Sequence, residues 1–206
     1  MNPIIAAKLE SALGNDGMPG ISAWEKALPV TFCSDWCGEH ADPLRATEVR
    51  LLWSHECLYI RYLCNYREIY AYEGGNTRRD QLWLRDVAEL FIHTGSDDLR
   101  HYREFEISPN GDWLDLDICQ GEKSHLLCDL KSRVVVNPGS RTWTAEMAIP
   151  INCLTAAFSP HECWRLNLFR IEGAEPNRFY SAWQPTYTLK PNFHVPERFG
   201  NLRFAE

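Results

Sequence analysis

At 206 residues, with 45% hydrophobic and 24% charged residues, the chain has apolar content for a substantial core and the charge of an ordinary globular protein. A net charge of −7 and an isoelectric point near 5.5 argue against nucleic acid or an anionic membrane as partner, since both usually meet a basic patch. No run approaches the ~18 apolar residues of a membrane-spanning helix. The opening MNPIIAAKLESALGNDG lacks the basic-then-apolar pattern of a signal peptide, which points to the cytoplasm, or to secretion if a leader has been removed.

In chain order, the first dozen residues are compatible with a short helix, and strands dominate thereafter. ATEVRLLWS and CLYIRYLCNY are rich in β-forming residues, and Ser54-His55-Glu56 between them suits a hairpin connection. In DVAELFIHT, Val87, Glu89, Phe91 and His93 alternate with Ala88, Leu90 and Ile92. YREFEISP leads through the turn signal Asn110-Gly111 into DWLDLDIC, where Trp113, Asp115 and Asp117 alternate with Leu114, Leu116 and Ile118. SRVVVNP, RTWTAEMAIP, WRLNLFRIEG, FYSAWQP and the terminal NLRF complete the series, with a helical turn or two in PINCLTAAF and a turn or bulge at Gly200. About ten short strands with little helix predict an all-β fold: an antiparallel two-sheet β-sandwich of jelly-roll or immunoglobulin type. No composition shift, repeat or linker interrupts the chain, so one domain over 1–206 is expected, with its core from about residue 20.

Motifs for catalysis are sparse. There is no G-x-S-x-G, H-E-x-x-H or phosphate-binding loop. Glu89, Glu104, Glu106, Asp115 and Asp117 supply carboxylates, but Asp115 and Asp117 sit at strand spacing opposite apolar residues, which predicts a solvated outer face. The eight cysteines include no C-x-x-C pair; their even number allows disulfides, and the absent leader argues against them. Cys33, Cys37 and His40 in CSDWCGEH fall short of a zinc set, so the thiols are expected to be structural. Acidic loop material at Asp97 and Asp98 offers hard oxygen ligands for calcium. Trp83, between charges in RRDQLWLRDVAELF, reads either as an edge-of-core ring or as a flat platform for the C–H face of a sugar.

WLRDVAELFI, in which a tryptophan precedes an aspartate, a glutamate and an aromatic, resembles a segment of family 9 carbohydrate-binding modules. EVRLLWSHECLYIRYLC, TWTAEMAIP, WRLNLFRIEG, SAWQP and FHVPERFGNLRF resemble the other strands of that family in the same order, from about Trp24 to Phe204. The resemblance implies a β-sandwich that binds sugars without catalysis, often with structural calcium. It also implies a saccharide held between two rings, Trp83 and Phe193, with Glu89 accepting from sugar hydroxyls and Lys190, Asn192 and His194 beside the second ring.

The chain departs from the family's polar pattern. Glu106 stands where the family has arginine, Ser108 and Lys190 where it has asparagine, and Phe169 where it has glutamine. Glu89 and Glu106 together would suit a cation or amine, or be neutralised by Lys190. Haem is the alternative ligand for sandwiches of this group; His93, Met147 and His194 are the candidate axial groups, but Met147 reads as core, which makes haem the weaker expectation.

Overall fold

The computed structural model describes residues 2–95 and 98–205. Its strands are β1 (Ile4–Lys8), β2 (Val30–Phe32), β3 (Thr47–Trp53), β4 (Cys57–Asn65), β5 (Val87–His93), β6 (His101–Ile107), β7 (Trp113–Cys119), β8 (Glu122–His125), β9 (Lys131–Asn137), β10 (Thr142–Pro150), β11 (Trp164–Glu172), β12 (Phe179–Ala182) and β13 (Gly200–Phe204). Helix is confined to one turn at Ile21–Trp24 and four short 3₁₀ turns, among them Leu82–Leu84 and Ile151–Cys153.

The strands form one strongly curled sheet in the order β8-β7-β6-β5-β11-β13-β1-β3-β4-β10-β9, with β12 on β11 and β2 on β3. The two ends of this order face each other across a core, as in a sandwich. Ala88, Leu90, Ile92, Phe105, Leu166 and Leu168 from one half pack with Val49, Leu51, Ile60, Tyr62, Trp143 and Met147 from the other. The seam is β1. Ile4, Ile5 and Ala6 run parallel to Leu202, Arg203 and Phe204 of β13, and Ala7 and Lys8 then run parallel to Leu52 and Trp53 of β3.

Two expectations are corrected here. The first residues are a strand and not a helix, because pairing on both sides and the burial of Ile4 and Ala6 outweigh the helical preference of the alanines. The sheet is consequently mixed, not purely antiparallel, and thirteen strands replace about ten among the described residues. Besides β1, the added strands are β2, of three residues, and β8, of four exposed residues; neither has a legible alternation.

All seven residues of β5 are buried, because the half-sheet β5–β6–β7–β11 is covered on both faces. Its inner face joins the core between the halves. On its outer face Phe91, Tyr102, Leu114, Leu116, Ile118, Phe169 and Ile171 pack beneath Leu82, Phe193 and Phe199, which arrive from loops. This roof reverses the faces expected for β7. Asp115 is not solvated: it is fully buried on the inner side, where Arg78 Nε donates to it at 2.9 Å and the backbone N–H of Cys128 also donates. Asp117 is half-buried and pairs with His101 at 3.0 Å and Arg103 at 3.4 Å.

Gly200 is required for space: a Cβ there would lie 2.4 Å from the Trp183 ring. Cys128 and Cys153 form a disulfide, with Cα atoms 5.9 Å apart, tying the segment after β8 to the turn after β10. The even cysteine count allowed such a bridge and the absent leader argued against it; at this pair the bridge is present. Cys33 and Cys37 carry no disulfide, and His40 is committed to Asp35, Nδ1 to Oδ2 2.7 Å.

Candidate functional site

A cleft of about 170 Å³ opens on the roofed outer face, lined by Trp83, Glu89, Phe91, Glu104, Lys123, Ile171, Tyr180, Pro191, Asn192, Phe193 and His194. Five side chains singled out in the sequence meet here: Trp83, Glu89, Asn192, Phe193 and His194. Glu106 lies behind them as the direct cross-strand partner of Glu89. Lys190 is exposed and outside the lining; its carbonyl accepts from the Thr188 hydroxyl.

Trp83 sits in a 3₁₀ turn entered through Gln81 in the left-handed conformation (φ 58°). Leu82 is fully buried and anchors the turn, leaving the next side chain half-exposed at the cleft. The Arg178 guanidinium fixes the same turn by donating to the carbonyls of Trp83 and Leu84. Phe193 stacks on Phe169, with ring centroids 4.1 Å apart and planes 10° apart. The ring that replaces the family's glutamine therefore supports the second aromatic wall. Asn192 accepts from the His194 N–H at 3.0 Å, folding the loop back on itself. The His194 imidazole meets the Tyr102 hydroxyl at 2.8 Å and lies 5.1 Å from the Phe91 ring. The residue is exposed overall, but the protein against one side of its imidazole lowers the pKa from the usual histidine value, opposed by the charge of Glu104.

Three glutamates project from adjacent strands toward one side of the sheet: Glu89 from β5, Glu104 and Glu106 from β6. All three are at least 98% buried. Oε1 of Glu89 has no hydrogen-bond partner among the described residues, and the Glu104 and Glu106 carboxyls lie within hydrogen-bond reach of each other. Burial, followed by the charge of Glu104, holds the Glu89 carboxyl well above its ordinary pKa. Burial and then the charges of Glu89 and Glu104 do the same to Glu106. The compensating ammonium is Lys123 from the edge strand β8, with Nζ 3.7 Å from Glu104 Oε2 and 4.7 Å from the centroid of the Trp83 ring. Glu104, Lys123 and Tyr180 escaped the sequence reading as site residues. Glu104 could have been found from its period-2 spacing with Glu106, whereas the polar EKSH strand gave no signal for Lys123.

Of the two acidic residues expected to offer ligands to calcium, one is described. Asp98 is held by Arg100 through Nε at 3.0 and 3.1 Å and Nη2 at 2.6 Å, and Arg100 draws its pKa down to about 2. Asp97 lies outside the described residues. Among the described residues, no group of three or more His, Cys, Asp or Glu side chains is arranged to hold a metal. The haem candidates are likewise dispersed: Met147 is fully buried between the sheet halves, while His93 and His194 belong to the opposite side of β5. No helix among the described residues is long and apolar enough to cross a membrane.

The fold is that of family 9 carbohydrate-binding modules. A family 9 module from Caldicellulosiruptor kristjanssonii, in complex with cellotriose, matches with a TM-score of 0.69 at 12% identity over 98% of this chain and 93% of its own. The module in complex with glucose matches at 0.70, again at 12% identity, over 99% and 96%. A Bacteroides uniformis protein provisionally assigned to carbohydrate binding matches at 0.80, with 16% identity over 98% of this chain and 99% of its own. In sequence, an "Extracellular protein" of Arthroderma benhamiae is 24% identical over 180 residues, 79% of this chain and 80% of its own. No family model matches the sequence.

Proposed function

We propose that this chain is a non-catalytic carbohydrate-binding domain that holds a saccharide in the outer-face cleft, with one sugar ring against Trp83. The observation that carries this reading is the meeting of a rigidly mounted, half-exposed tryptophan with Phe193, Tyr180, Glu89, Glu104 and Asn192 in a single concavity. Flat rings offer large contact area to sugar C–H faces with little side-chain entropy to lose, and a few polar groups fix orientation. The Glu89 carboxyl, whose Oε1 has no hydrogen-bond partner among the described residues, can accept from a sugar hydroxyl. The modules of the same fold that hold cellotriose and glucose support a saccharide over other ring-shaped ligands.

The clamp is best pictured as asymmetric. One face of Phe193 is already taken by Phe169, so its role is that of a wall, and Trp83 supplies the platform. Calorimetric titration with cello-oligosaccharides and a broader glycan panel tests the reading. Trp83→Ala is expected to weaken the best ligand about tenfold, or about 1.4 kcal/mol, without lowering the melting temperature appreciably. Unchanged affinity in that variant would remove the cleft from the function.

A further inference from the structure

Given a saccharide site at this cleft, we infer that its preferred ligand carries a protonated amine: an amino sugar whose ammonium enters between Trp83 and the glutamates. The geometry supplies an acidic pocket far in excess of what a neutral sugar needs. Glu89 and Glu104 line the cleft, and Glu106 backs it. Glu89 is 98% buried yet presents Oε1 without a hydrogen-bond partner among the described residues. Buried carboxyls left this way are unfavourable, and a cation that reaches them restores the missing interactions.

The cations already present do not complete the set. Arg178 acts on Glu89 through its charge, but its hydrogen bonds go to the carbonyls of Trp83 and Leu84, and the His194 imidazole is taken up by the Tyr102 hydroxyl at 2.8 Å. Lys123 is the one Lys or Arg among the described residues that line the cleft, beside Glu89 and Glu104. Its Nζ is 3.7 Å from Glu104 Oε2, too long for a hydrogen bond, and sits over the Trp83 ring. That position is where an ammonium is attracted both by an aromatic face and by carboxylate charge. Lys123 is thus the chain's own occupant of the amine position. It sits on an exposed edge strand from which its flexible stem can swing away when a ligand ammonium arrives.

The test compares three trisaccharides by calorimetry at neutral pH: fully deacetylated chitotriose, its N-acetylated form and cellotriose. The deacetylated sugar is expected to bind about tenfold more tightly than the other two, with the advantage shrinking as salt is raised. Glu89→Gln should erase that preference, with melting curves showing that the variant is folded. Lys123→Gln, on the exposed strand, should tighten the deacetylated sugar several-fold by removing the internal competitor. Equal or weaker binding of the amine-bearing sugar, or its weakening in Lys123→Gln, would overturn the inference while cellotriose binding upholds the saccharide reading. Binding of cyclohexylamine with no binding of any sugar would retain the amine position and overturn the saccharide reading instead.

Discussion

Glutamate 106 is fully buried beside the carboxyls of Glu89 and Glu104, and the pH dependence of stability should reveal it. Its folded pKa is raised, as is that of Glu89, so their stabilising contribution is present below the ordinary value of 4.5 and is lost as pH rises through the folded value. Asp86, raised by burial to about 6 from 3.8, changes in the same direction but completes its loss near that pH. Urea unfolding of the free protein should therefore show stability falling as pH rises above about 4.5, by more than the change at Asp86 alone accounts for. Glu106→Gln should flatten that decline and stabilise the protein by about 1–2 kcal/mol at the alkaline end, since a neutral amide replaces a buried charge. A variant equally or less stable than wild type at pH 8 would show that the carboxyl is satisfied in solution. At this scale the sequence was partly legible: the alternation in DVAELFIHT put Glu89 and Phe91 on one face, and the family resemblance brought Glu106 to the site. It could not show that the outer face was roofed, which is why Asp115 was assigned to solvent and is instead buried against Arg78.

Among the elements, the long strands announced themselves and the short ones did not. β4, β10 and β11, each of nine residues, carry enough alternation to fix their faces. β1 is brief and rich in alanine, and its identity comes from partners at the far end of the chain, Leu202–Phe204, which no local window contains. β8 is wholly exposed, yet it delivers Lys123 to the cleft. The Cys128–Cys153 bridge was also hidden, because eight cysteines give many pairings and spacing alone selects none. It closes a loop with a sequence separation of 25, for which chain entropy suggests a contribution of about 3 kcal/mol. The double variant Cys128→Ser/Cys153→Ser is expected to lose about that much in chemical unfolding, and wild type in reductant should match it. If reductant leaves the transition unmoved and mass spectrometry counts eight free thiols, the bridge is not formed in solution.

For the molecule as a whole, the sheet curls until its two halves enclose one core, and β1 closes the seam between them. This leaves the outer face of β5–β6–β7–β11 for loops to cover, and the cleft lies where that cover is incomplete. The class of fold was readable from period-2 patterning and ordered resemblance; the mixed pairing was not, because it depends on the two termini meeting. The aromatic walls were readable by position, whereas their ionic surroundings depended on strands distant in sequence coming together. The most direct test of the saccharide cleft is a crystal structure of the protein grown with whichever trisaccharide binds best in calorimetry. The expected result is a sugar ring stacked on Trp83, with hydroxyl or amino groups within hydrogen-bond reach of Glu89 and Glu104, and the Lys123 ammonium displaced if the sugar bears an amine. A saccharide bound elsewhere on the surface, with the Trp83 face untouched, would contradict it.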